Sequence, residues 1–245
     1  MLKFETMIPR KIKTQTIFSR SKWSELVDRI KEYWDKDYFI TDFDYGEQRW
    51  RVVMSKVEGW NGQSIFHSKD FPSEKLSEYW KKDKYLTSIT YDGTDWICVV
   101  TGVDNCYSQA WATGSWSHCK DYVNDRWNEN YIITSIACNG SSYAFICSKF
   151  AGFNASQKYK VLSKPVGVRE IEKICDTGQI VVDLFDMAGD LVAVTASDTG
   201  YTKQRIHKAK TFMELDKIID NRWEEGYNIT TIAYFNNECI IVFSK

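Results

Sequence analysis

The sequence predicts an α/β repeat protein, five β-α-β-β units of about 47 residues closed into a propeller-like toroid, and three observations predict it. Gln15, Gln63, Gln109, Gln157 and Gln204 fall at intervals of 48, 46, 48 and 47 residues, each two places before a large apolar residue. A second column holds Trp34, Trp80, Trp127 and Trp223, with Cys175 in the fourth unit; a third holds Thr41, Thr87, Thr134 and Thr230, with Val182 in the fourth. From the Thr column onward all five rows align without a gap, so Trp50, Trp96, Tyr143, Leu191 and Cys239 share one position. The whole chain, 1–245, reads as one domain with units 15–62, 63–108, 109–156, 157–203 and 204–245 behind a lead-in of residues 1–14.

Within a unit, the Gln residue opens a strand such as Gln63-Ser64-Ile65-Phe66-His67. Next comes a helix: Trp23, Leu26, Ile30 and Trp34 are spaced as one apolar stripe, and Phe212, Leu215, Ile219 and Trp223 repeat it. Thr211 with Glu214 reads as a capping box, and Pro72 before Ser73 suits a first turn that needs no donor. After the helix, the alternating, β-branched run Tyr131–Ala137, the turn Asn139-Gly140 and the run Tyr143–Ser148 read as a hairpin. A connection containing Gly, for instance Gly59-Trp60-Asn61-Gly62, leads to the next Gln strand.

Regrouping each hairpin with the Gln strand that follows it gives three-stranded sheets and leaves the first Gln strand orphaned. Residues near Gln15 to Phe18 are therefore expected to complete the last sheet, beside Ile229–Ile232 and Cys239–Phe243, which closes the toroid and removes exposed edges. The alternative is an open α/β solenoid, which needs polar caps that neither end displays.

Composition narrows the class. The 245 residues are 43% hydrophobic and 15% aromatic, ample for a large core. Lys plus Arg number 32 against 33 Asp plus Glu, and that net charge of -1 gives no global field to hold nucleic acid or an anionic membrane. The only basic cluster, Arg10-Lys11-Ile12-Lys13, reads as a solvated strand edge. Residues 1–7 lack the apolar run of a signal peptide, and no stretch approaches the length of a membrane helix. Seven Cys is an odd number, and Cys98, Cys138, Cys147 and Cys239 lie in apolar runs, so a reducing, cytoplasmic compartment is expected.

The motif Trp34-Asp35-Lys36-Asp37-Tyr38-Phe39-Ile40-Thr41, followed by Trp50–Ser55 and Gly59-Trp60-Asn61-Gly62-Gln63, recurs at Trp127–Thr134 and Trp223–Thr230. It resembles a repeat domain of unknown function at the C-terminus of plant casein-kinase-I-related kinases. The resemblance covers nearly the whole chain except the fourth unit, and it implies an accessory module with no catalytic residues to carry over. The Gly-rich loop, catalytic loop and metal-binding motifs of a kinase are absent from the sequence.

Few residues invite chemistry. A five-unit α/β toroid is pentein-like in shape, and that likeness implies a Cys nucleophile working with His and carboxylates. The three His residues, His67, His118 and His207, lack a repeating acidic partner, so a Cys–His pair such as Cys106 with His118 is read as structural. No Cys or His spacing suits a metal, and no cofactor is expected. Asp42 and Asp44 share a strand face and could bind a cation, though a solvated face explains them more simply.

The expectation for function is a non-enzymatic interaction or scaffolding module that docks a protein partner or enters a larger assembly. Loop aromatics Trp60, Tyr107, Phe153 and Tyr201, before the Gln strands, are the expected contacts on one rim. The Gln column either lines the toroid or satisfies backbone groups, the structural role being preferred. Small-molecule binding in the central space, or carbohydrate binding, is the alternative.

Overall fold

The structure is a computed structural model that describes residues 12–151, 156–163, 167–175, 177–187 and 189–245. The first unit contains β1 (Ile12–Arg20), α1 (Trp23–Trp34), β2 (Phe39–Gly46) and β3 (Arg49–Val57). The second contains β4 (Trp60–Ser68), α2 (Ser73–Trp80), β5 (Lys84–Tyr91) and β6 (Trp96–Val103). The third contains β7 (Cys106–Gly114), α3 (Trp116–Asn128), β8 (Ile132–Cys138) and β9 (Tyr143–Phe150). The fourth contains β10 (Gln157–Leu162), α4 (Val168–Cys175), β11 (Ile180–Met187) and β12 (Asp190–Ala196). The fifth contains β13 (Gln204–Ala209), α5 (Phe212–Glu224), β14 (Asn228–Phe235) and β15 (Glu238–Ser244).

Each unit thus has the expected strand, helix, strand, strand order, yet the sheets are grouped differently from the sequence expectation. The Gln strand pairs within its own unit, in the order β1-β3-β2, and the other four sheets repeat that order. β1 lies antiparallel to β3 with Gln15 opposite Ser55, and β2 lies antiparallel to the other side of β3 with Phe39 opposite Ser55. No strand is orphaned, and β13, not the segment around Gln15, completes the last sheet. The premise of the closed toroid therefore falls. The chain is mostly β, built as five small three-stranded antiparallel sheets, with no closed barrel or propeller. The open solenoid fails as well, because β14 of the fifth unit packs on β2 of the first.

The third strand of each unit is the most buried. All eight residues of β6 are buried, and Val52, Val53 and Met54 of β3 are fully enclosed. One face packs under the helix of its own unit, as Val52 and Met54 do with Leu26 and Ile30. The opposite face meets a neighbouring unit, where Val53 joins Leu215, Ile219 and Ile241. A strand covered on both sides needs a continuous apolar run, which is what Trp96-Ile97-Cys98-Val99-Val100 supplies. Thr211 caps α5 by accepting the backbone N–H of Glu214 at 3.3 Å. Among the described residues, no helix is long and apolar enough to cross a membrane.

Candidate ligand cavity

Each second strand carries a bulge at the Thr column: the register shifts between Ile40 and Asp42, Leu86 and Ser88, Ile133 and Ser135, Val181 and Asp183, and Ile229 and Thr231. That strand lies at the edge of its sheet, so backbone groups on its outer side need partners from elsewhere. The Gln side chain of another unit supplies them. Gln63 accepts the N–H of Ile40 at 2.7 Å and donates to its carbonyl at 3.0 Å, as a neighbouring peptide group would. The same amide accepts the indole N–H of Trp34 and donates to Thr101 Oγ1 at 2.8 Å. Gln109 repeats all four bonds with Leu86, Trp80 and Ser148. Gln157 holds Ile133 and Trp127, and Gln15 holds Ile229, Trp223 and Ser55. In the fourth unit, where Trp is missing, the Cys175 thiol donates to Gln204 Oε1 at 3.0 Å, and Gln204 still clasps both backbone groups of Val181.

The Gln column is therefore structural, and it also explains the misread sheets. A Gln strand does adjoin the hairpin before it, through one side chain and not through a strand ladder.

Beyond the bulge, the second strands converge on a cavity of about 520 Å³ to which all five units contribute. The residue after the Thr column is short and polar in every unit: Asp42, Ser88, Ser135, Asp183 and Thr231. These side chains tie the strands together. Asp42 Oδ2 accepts the N–H of Ile232 at 2.6 Å, and Ser135 Oγ accepts that of Ile89 at 3.1 Å. Asp183 Oδ1 accepts the N–H of Leu184 at 2.9 Å and the hydroxyl of Thr231 at 3.4 Å. Further along, Asp44, Asp186, Tyr45, Tyr91 and Tyr234 complete the lining. Among the described residues that line the cavity there is no Lys, Arg or His.

Asp44 is the unusual member. It stands across the strand pair from Arg51, yet its Oδ2 is shielded from solvent and has no hydrogen-bond partner. Burial pushes its carboxyl up to about 8; Asp42 adds to that shift, while Arg51 and the backbone N–H groups of Tyr234 and Tyr45 oppose it. Arg51, only 3% exposed, donates to the Gly46 carbonyl at 3.0 Å and lies 4.6 Å over the Tyr234 ring. Gly46 permits that stacking, because a Cβ there would sit 2.1 Å from Tyr234.

Of the aromatics expected on a rim, Trp60 is buried. It is 7% exposed and packs in a core with Val57, Tyr85 and Val103, because it opens β4 and does not stand in a loop. Tyr107 is 56% exposed on β7, Tyr201 is half-buried, and Phe153 lies outside the described residues, as do Arg10 and Lys11. In the Cys–His pair read from the sequence as structural, burial pushes the Cys106 thiol up to about 12, and it pushes Cys119 up to about 11. His67 is paired with Asp95 at 2.8 Å. His207 accepts from Arg222, and burial together with that guanidinium lowers its pKa. Among the described residues, no group of three or more His, Cys, Asp or Glu could hold a metal.

Of the cavity residues, sequence reasoning reached Asp42 and Asp44 and set them aside as a solvated face. The missed signal was the column after Thr, polar in five units of five.

A family model described as a domain of unknown function, DUF7477, matches residues 85–245. That span runs from the start of the second hairpin to the end of the fifth unit and leaves out β1 and β2, hence Gln15, Asp42 and Asp44. No curated protein matches the chain.

Proposed function

The chain belongs to the DUF7477 family, and from that premise we propose that it is a non-enzymatic binding module holding a small ligand in the cavity between its second strands. The observation that carries this reading is the cavity itself, within the usual size range of small-molecule sites and lined by polar groups from five separate sheets. The likeness to the accessory repeats of plant casein-kinase-I-related kinases supports a module that serves other domains or partners and performs no chemistry of its own. A screen of small metabolites by thermal shift tests it, comparing the intact chain with Thr90→Trp, a substitution that places a bulky side chain in the cavity. Ligands that raise the melting temperature of the intact chain and not of the folded variant are expected. At a hundredfold excess over the dissociation constant, such a ligand adds about 2.7 kcal/mol. The absence of any such ligand sinks the proposal.

A second reading, docking of a protein segment, is favoured by an open groove between the first and fifth units, where Met213 is 81% exposed beside Arg20 and Arg49. Its test is capture of a partner by the intact chain and loss of that partner with Met213→Asp.

A further inference from the structure

The chemistry of the cavity narrows the class of ligand, granted the small-ligand reading above. Four carboxyl groups, Asp42, Asp44, Asp183 and Asp186, line the cavity without a basic side chain among the described lining residues. Three of them are engaged as acceptors: Asp42 by Phe43 and Ile232, Asp183 by Leu184 and Thr231, and Asp186 by the N–H of Gly189 at 2.9 Å. Asp44 also meets the backbone N–H groups of Tyr234 and Tyr45, but it alone keeps a shielded oxygen, Oδ2, with no partner. Its cross-strand neighbour Arg51 makes no hydrogen bond to that oxygen: it donates to the Gly46 carbonyl, lies over the Tyr234 ring and stands 3.7 Å from Glu47, while its own Nε is shielded and likewise without a partner. A buried acceptor left unmatched costs about 1–3 kcal/mol unless a donor arrives. The phenol rings of Tyr45, Tyr91 and Tyr234 also line the cavity, and aromatic faces attract cations.

We propose that the cavity takes a small ligand bearing an aliphatic ammonium group, and that Asp44 anchors that group by exchanging its proton for it. In the empty cavity Asp44 holds a neutral carboxyl; on binding, the carboxyl O–H breaks, the carboxylate pairs with the ammonium, and the proton leaves to solvent. The charges balance, since one cation enters as one proton departs. The groups facing Asp44 are Asp42 and Tyr45 on its own strand, Arg51 on β3, and Tyr234 and Cys239 from the fifth unit. Because the carboxyl of Asp44 is raised to about 8, only about 1% is ionised at pH 6, which weakens ammonium binding on the order of a hundredfold relative to pH 9.

The test uses the full chain and three probes that share one alkyl chain: butylammonium, butanol and butyrate, titrated calorimetrically at pH 6, 7 and 9. Butylammonium stays protonated throughout, as lysine side chains do. Binding of butylammonium over the other two is expected, about a hundredfold weaker at pH 6 than at pH 9. At pH 7, buffers of different ionisation enthalpy should report release of close to one proton. Asp44→Asn should abolish the pH dependence and most of the affinity, whereas Asp186→Asn should keep the pH dependence. Preference for butanol or butyrate overturns the ammonium assignment and leaves the small-ligand reading standing. Butylammonium binding without proton release overturns the role of Asp44, a readout that needs no variant to fold. Silence from all three probes overturns this inference, and only an empty metabolite screen as well overturns the broader reading.

Discussion

The two halves of each second strand obey different rules. At the near half, before and at the bulge, every unit solves the same problem in the same way: Ile40, Leu86, Ile133, Val181 and Ile229 are each clasped at N–H and C=O by a Gln side chain. Beyond the bulge the five strands share only polarity, with Asp, Ser, Ser, Asp and Thr in one column, and they face a common cavity. A repeated need produces a repeated residue; a single shared space lets each unit contribute something different. The part of the chain that looks most like a motif is therefore framework, and the part that looks irregular surrounds the candidate site.

That contrast can be broken from either side. The largest effect is expected at the clasp: Gln109→Ala leaves the N–H and C=O of Leu86 and the indole of Trp80 without partners and should cost about 3–5 kcal/mol in denaturant unfolding. A loss below 1 kcal/mol would mean the Gln column is not framework. At the cavity the expected sign is reversed. The folded chain holds Asp44 above its usual pKa and so keeps a proton that the unfolded chain releases near pH 4. The native state consequently loses stability as pH rises from about 4 to about 8, with the full cost present above that. Asp44→Asn removes the cost, so the variant should match the parent near pH 4 and exceed it by on the order of 2–4 kcal/mol at pH 9. Equal stabilities at pH 9 would show that the carboxyl is not strained by burial.

Two smaller tests sharpen the boundary between framework and site. Gly46→Ala places a methyl group into the Tyr234 ring and should cost about 1–3 kcal/mol by overpacking, visible as a lowered melting temperature. Cys175→Ala removes only the thiol donor to Gln204 and should cost about 1 kcal/mol, since the backbone bonds of that clasp persist. If Cys175→Ala proved as damaging as Gln109→Ala, the thiol would matter more than a stand-in for the missing Trp.

Much of the local structure was legible because it is dictated locally. The stripe Trp23, Leu26, Ile30 and Trp34 specifies a helix and the face it buries, and the Asn139-Gly140 turn specifies a hairpin. Sheet membership was not legible, for a physical reason. Gln63 lies six residues after Val57, which ends β3, and its side chain contacts β2, so by proximity it belongs with the first hairpin; by backbone pairing it belongs with the second. Sequence spacing reports proximity and cannot tell an amide side chain from a peptide group. Trp60 is buried where the sequence leads one to expect a loop, because β4 already begins at that residue within the Gly-containing connection. Asp44 was visible as a candidate, but the burial that makes it interesting depends on the fifth unit, where Tyr234 lies 190 residues farther along the chain.

The clasps also set an order of events for a chain made from its N-terminus. Four of them join residues 23 or 24 positions apart and can close soon after each unit emerges. The fifth joins Gln15 to Ile229 across 214 positions and must wait for the fifth unit to emerge. During translation the first unit therefore holds an unspent amide and the growing end a bare strand edge, a period in which a second nascent chain could take the place of the proper partner. Since β14 also brings Ile232 to Asp42, competence to bind a ligand should arrive with the fifth unit and not gradually.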